Sequence, residues 1–162
     1  MMRCLLLAIL IVTNISCRSQ IEWSDVFVHK GIQYLNAGKY DEAVIEFDKA
    51  RHMSRDRTDV YLVQGEAYFK MGKWLAALEC FNTYLLSHKF QDPKYYVMRA
   101  KSLEILGNST DEIISLGYDP AIALEPKNGQ LYYQRGKIHE RAGQVELAEN
   151  DFRLASELGF KV

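Results

Sequence analysis

Gly31–Phe47, GIQYLNAGKYDEAVIEF, returns 34 residues later as Gly65–Phe81, GEAYFKMGKWLAALECF. Gly31 aligns with Gly65, Tyr34 with Tyr68, Gly38 with Gly72, Ala43 with Ala77 and Phe47 with Phe81, all at one period. Toward the end of the chain Gly136–Phe152, GKIHERAGQVELAENDF, takes the same form. Each unit reads as two helices around a glycine turn, because apolar residues recur at three and four spacing on either side of it. In the second unit Tyr61, Gly65 and Tyr68 share one helix face, and Ala77, Phe81 and Tyr84 share a face of the next. Gly72 between them supplies the left-handed turn that ends the first helix. Gly65 and Ala77 let two backbones approach, and Phe81 fills the space beside them, as interior packing density requires.

This spacing resembles the tetratricopeptide repeat, whose signature sets aromatic, Leu-Gly, Tyr, Ala, Phe, Ala and Pro at fixed offsets in 34 residues. The resemblance covers residues 24–160. The first repeat, 24–57, carries Phe27, Gly31, Tyr34, Ala43, Phe47 and Ala50; the second, 58–91, carries Tyr61, Gly65, Tyr68, Ala77 and Phe81, with Tyr84 in a small-residue place. The fourth, 129–162, carries Tyr132, Gly136, Ala148, Phe152 and Ala155, with His139 for the Tyr. The third, 92–128, is irregular: Tyr96, Ala100 and Leu103 come one residue late, Gly107-Asn108-Ser109-Thr110 makes a longer turn, and Gly117 and Pro120 fall inside the second helix. Proline removes a backbone donor, so a kink or break is expected between Gly117 and Pro120. The Leu of the Leu-Gly pair is replaced throughout, by Lys30, Gln64, Arg99 and Arg135, which predicts looser packing at one seam. The fold implied is all-α: a right-handed superhelical solenoid of about four helix-turn-helix repeats.

Composition agrees with a single domain of 162 residues and excludes some functions. With 20 Lys+Arg against 21 Asp+Glu, the chain has no single-sign field to attract nucleic acid. Cys4, Cys17 and Cys80 form neither a disulfide framework nor a zinc spacing, and Cys80 reads as a small apolar helix residue. His29, His52, His88 and His139 are scattered, and no HExxH, GxSxG or phosphate-loop pattern occurs. Asp41-Glu42 and Asp111-Glu112 follow turns, where they suit the positive end of a starting helix rather than acid–base catalysis. Asn108-Ser109-Thr110 has the form of a glycosylation acceptor, which in a bacterial chain is a plain turn. No catalytic residue, metal or cofactor is expected.

Residues 1–16, MMRCLLLAILIVTNIS, read as a signal peptide: Arg3, then an apolar run from Cys4 to Val12 too short to span a bilayer. Cys17 after a small residue resembles a bacterial lipoprotein box, with Asn14 where Leu is usual. Lipidation at Cys17 is the leading expectation; a plain signal cut nearby and an uncleaved short anchor remain alternatives. Residues 17–23 then form a linker. The expected setting is an exported lipoprotein of a bacterial envelope, tethered to membrane by lipid.

In the family, the first helix of each repeat lines a concave face. The resemblance places Val28, Ile32 and Asn36, Leu62, Glu66, Phe69 and Lys70, Val97, Lys101 and Glu104, and Tyr133, Lys137, Glu140 and Arg141 there. Lys70, Lys101, Lys137 and Arg141 are expected either to form a basic stripe for an acidic peptide or terminal carboxylate, or to be solvated charges paired with Glu66, Glu104 and Glu140. The family's carboxylate clamp is not expected, because Val28 stands where its first Lys belongs, although Asn36 fits one slot. The last helix carries Val145, Leu147, Leu154, Leu158 and Phe160, so this end is expected to dock on a partner or a second copy. The function implied is a non-catalytic envelope adaptor holding a protein or peptide; the alternative is a carrier of a small acidic ligand working with a transporter.

Overall fold

The computed structural model describes residues 22–54, 57–85 and 92–161. The leader, Cys17 and His88 lie outside them. The described residues form helices and connecting turns with no strand. Helix α1 covers residues 22–36, followed by α2 (Tyr40–Met53), α3 (Val60–Lys70), α4 (Trp74–Leu85) and α5 (Pro93–Ile105). A composite helix follows, made of α6 (Thr110–Ile113), a π-turn segment (Ile114–Tyr118) and α7 (Asp119–Leu124). Helices α8 (Gly129–Arg141) and α9 (Val145–Glu157) complete the chain. The helices pair in order as hairpins, and each hairpin stacks on the next. The all-α solenoid expected from the period is therefore the observed architecture. No described helix is long and apolar enough to cross a membrane.

Each hairpin closes by the same backbone device. Gly38, Gly72, Gly107 and Gly143 have φ of 74°, 72°, 77° and 73°. This lets the next N–H reach back to the helix: Lys39 to the Tyr34 carbonyl and Lys73 to that of Tyr68, both at 2.9 Å, Asn108 to Leu103 at 3.0 Å, and Gln144 to His139 at 2.9 Å. The acidic pairs Asp41-Glu42 and Asp111-Glu112 lie in first helical turns, where the helix dipole favours them.

Within a hairpin, a glycine of the first helix meets a phenylalanine ring of the second. A Cβ on Gly31 would lie 2.5 Å from the Phe47 ring, and Cβ atoms on Gly65 and Gly136 would lie 2.7 Å from Phe81 and Phe152. Between hairpins, Val60 packs with Ala43, Phe47 and Ala50, and Phe81 faces Tyr95 with ring centroids 6.1 Å apart. Cys80 is a buried free thiol on α4, and burial pushes its pKa up to about 11.

The third hairpin is irregular in the stretch where a kink or break is expected. Helical structure runs from Thr110 to Leu124, so the chain neither breaks nor leaves the helix at Gly117–Pro120. One π turn absorbs the mismatch, with the Asp119 N–H donating to the Ile114 carbonyl five residues back. Pro120 has no N–H for the Leu116 carbonyl four residues before it. Arg99 fills that vacancy: its Nε donates to Leu116 O at 2.7 Å, and its Nη2 donates to the same oxygen. Gly117 is needed for close approach, since a Cβ there would lie 2.3 Å from that of Ala100.

The substituted Leu positions do not loosen the seam. Lys30 Nζ donates to Glu46 at 3.1 Å, and Arg135 binds Asp151 through Nε at 2.9 Å and Nη2 at 2.7 Å. Gln64 crosses between hairpins, donating to Asp48 and accepting from Arg51, both at 2.9 Å. A hydrogen-bonded polar spine replaces the apolar seam.

The outer surface of the last hairpin is also less apolar than expected. Val145, Leu147 and Leu158 are exposed, but Phe160 folds back onto Tyr133 with ring centroids 5.0 Å apart, and Leu154 is half-buried. Arg153 bonds Glu157 and Asn150 across the outer surface of α9.

Candidate functional site: the concave groove

The stacking brings α3, α5 and α8, the first helices of three successive hairpins, side by side. They enclose a groove of about 510 Å³. Its floor is Phe69, Val97, Met98 and Leu131. Met98 and Leu131 are almost fully buried because their other sides belong to the core with Phe81, Tyr95 and Ala121. Phe69 is fixed edge-on against Trp74 at 5.1 Å between centroids, which ties the groove wall to the turn between α3 and α4.

The polar groups divide into paired and unpaired. Glu66 accepts from Lys94 of the next hairpin at 2.6 Å. Burial raises Tyr95 to about 12, and the neighbouring Glu66 carboxylate adds to the effect. Asp92 caps α5 by accepting the Lys94 backbone N–H at 2.9 Å. Lys70 and Lys101 line the same groove, are exposed, and form no ion pair among the described residues. The Gln134 Oε1, also at the groove, is buried without a protein partner among them.

Of the residues placed by sequence on a concave face, the structure brings Glu66, Phe69, Lys70, Val97 and Lys101 together here. The others go elsewhere. Asn36 is exposed at the end of α1. Tyr133 is covered by Phe152 and Phe160. Lys137 pairs with Glu140 on its own helix. Arg141 pairs with Glu104 beside a smaller hollow of about 180 Å³ between α5 and α8. The four-residue basic stripe is thus reduced to Lys70 and Lys101. The sequence reading missed Lys94, Met98, Gln130, Leu131 and Gln134. Lys94 and Gln130 occupy the first turns of α5 and α8, and their signal is the helix period itself, continued one turn back from Val97 and Tyr133. Among the described residues no cluster of three His, Cys, Asp or Glu could hold a metal.

Hairpins closed by left-handed glycines, locked by glycine-on-ring contacts and stacked so that their first helices share a groove make a solenoid of tetratricopeptide type. Residues 129–158 match the tetratricopeptide repeat family. No curated protein sequence matches the chain. Among solved structures, the fold is similar to a crystal structure of MamA, with a TM-score of 0.75, 19% identity, and coverage of 83% of this chain and 77% of that one. It is also similar to MamA AMB-1, with a TM-score of 0.75, 24% identity, and 86% and 74% coverage. MamA from Desulfovibrio magneticus RS-1, from residue 41 on, gives a TM-score of 0.74 at 19% identity, with 83% and 75% coverage. At these identities the likeness is one of fold.

Proposed function

We propose that the chain is a non-catalytic adaptor of the bacterial cell envelope. In this reading it is exported by its leader, tethered through lipid on Cys17, and holds a partner protein by a peptide segment laid in the groove of α3, α5 and α8. The observation that carries this reading is the pairing of an apolar floor with two lysines that have no acidic partner among the described residues. Such a surface suits a segment with one or two apolar anchors flanked by carboxylates: the anchors remove water from the floor, and the carboxylates meet Lys70 and Lys101. The alternative, a small acidic ligand enclosed by a lysine stripe, is less well supported, because Lys137 and Arg141 are engaged elsewhere and the groove is open along its length. Envelope assembly or secretion is the process in which such an adaptor would serve.

A photo-crosslinker at Val97, compared with one at Leu147, an exposed residue of α9 that does not line the groove, tests the reading in cells carrying the full chain. A discrete protein adduct from Val97 and none from Leu147 is expected. Equal adducts from both positions, or none from either, would overturn it.

A further inference from the structure

The repeat allows each exposed side chain to be compared with its equivalent one period on. Val60 on α3 is 0% exposed, covered by Ala43, Phe47 and Ala50 of the preceding hairpin. Its equivalent, Val26 on α1, is 53% exposed, and Trp23 one turn before it is 59% exposed. Among the described residues nothing covers this face. The charges around it are largely spent. Asp25 and Asp59 share Arg57, and Lys30 and Lys49 share the single carboxylate of Glu46, so these pairs carry no net charge. A second copy stacked head-to-tail would have to meet it through Ala148, Phe152 and Ala155, the equivalents of Ala43, Phe47 and Ala50, but Ala148 and Ala155 are already buried and Phe152 packs on Tyr133 within their own hairpin.

The position in the chain favours a different occupant. Residue 22, where the described part of α1 starts, lies five residues after Cys17. Fully extended, that stretch reaches about 18 Å. An indole combines an apolar body with a polar N–H and settles where hydrocarbon meets headgroup. We propose that Trp23 and Val26 seat the first helix on the phospholipid surface, so that the solenoid is held in one orientation rather than swinging on its tether. This rests on the membrane-tethered reading above. The contact orients and does not anchor, since so small an apolar face gives only weak binding beside an acyl chain.

The full chain, with its own leader and processing, reports on this through its two tryptophans, Trp23 and Trp74. Trp74→Phe leaves Trp23 as the single reporter, and Trp23→Phe leaves Trp74 as the control. Each is placed in phosphatidylglycerol–phosphatidylethanolamine vesicles with and without brominated acyl chains. Trp23 is expected to shift blue and lose about half its emission to bromine, as an interfacial indole does, while Trp74 loses none. Val26→Glu should abolish the Trp23 effect and leave the protein in the vesicle fraction. Vesicle-bound protein with unquenched Trp23 overturns the seating while the tether stands. Blue-shifted but unquenched Trp23 in a particle of twice the chain mass overturns it in favour of a second copy. Equal quenching of both tryptophans overturns it as non-specific. Protein that stays out of the vesicle fraction overturns the tether and the seating together.

Discussion

At the scale of single residues, two departures from the family pattern in the third hairpin explain one another. Pro120 leaves the Leu116 carbonyl without its helical donor, and Arg99, in the place of the family's leucine, supplies two donors to that oxygen. Arg99 is 2% exposed and has no acidic partner among the described residues, and burial lowers its pKa. Arg99→Leu removes a buried charge but orphans the carbonyl, so the single-mutant value mixes opposite effects. A double-mutant cycle separates them. Arg99→Leu should cost about 1–3 kcal/mol more with Pro120 present than in a Pro120→Ala background, where residue 120 regains an N–H. Urea unfolding of the four chains measures the difference, and additivity would refute the pairing.

The polar spine also gives the fold a pH dependence with a definite sign. Burial alone would raise the Glu46 carboxyl, but hydrogen bonds and charges from Lys49 and Lys30 outweigh it and hold the group below its ordinary value. A carboxyl lower in the folded than in the unfolded state leaves the unfolded chain binding more protons in acid. Stability is therefore full above the unfolded carboxylate pKa, about 4.3, and lost as pH falls through the folded one. Asp59 beside Arg57 and Glu112 in its capping box are held low as well and act in the same direction. Glu46→Gln should flatten the fall in urea midpoint between neutral pH and the acid limb without removing it. An unchanged slope would show that Glu46 does not contribute.

At the scale of the helix, stacking depends on absent side chains. Gly65→Ala would gain about 1 kcal/mol of helix propensity on an open surface. Here the new Cβ would meet the Phe81 ring at 2.7 Å and the Cys80 Cβ at 3.0 Å, and overpacking of that kind costs about 1–3 kcal/mol. A net loss is expected, recovered in part by Phe81→Leu. Gly143→Ala should also destabilise, but through its φ of 73° in open space, so no ring substitution should rescue it. Thermal melts of the single and double variants distinguish the two causes. These elements were legible in the sequence because glycine, alanine and phenylalanine recur at one period and each has a single geometric use. The spine was less legible. The polar residues at the leucine place find partners in three different ways: within a hairpin for Lys30 and for Arg135 on Asp151, across hairpins for Gln64 and for Arg135 on Asp119, and on a backbone carbonyl for Arg99. A period reports which positions are buried and not which atom answers a buried donor.

At the scale of the whole molecule, the groove belongs to no single repeat, and its charge balance emerges only when three hairpins are stacked. Position in the repeat put Lys70, Lys101, Lys137 and Arg141 in one class. Stacking separates them, because Glu104 reaches Arg141 from a neighbouring hairpin and Glu140 takes Lys137, while Lys70 and Lys101 line the groove and form no ion pair among the described residues. The two pairs of cations therefore make opposite predictions. Lys70→Glu with Lys101→Glu should weaken an acidic, apolar-anchored peptide selected on the unmodified groove by about ten-fold or more, since two attractions become repulsions. Lys137→Glu with Arg141→Glu should leave that affinity within about two-fold, because those exposed pairs are worth at most about 1 kcal/mol and lie off the floor. Rising salt should weaken the unmodified complex and narrow the gap to the Lys70/Lys101 variant, as screening removes the term that separates them. Fluorescence anisotropy at two ionic strengths measures all three. If both double variants lost affinity equally, the repeat position rather than the stacked groove would be choosing the ligand.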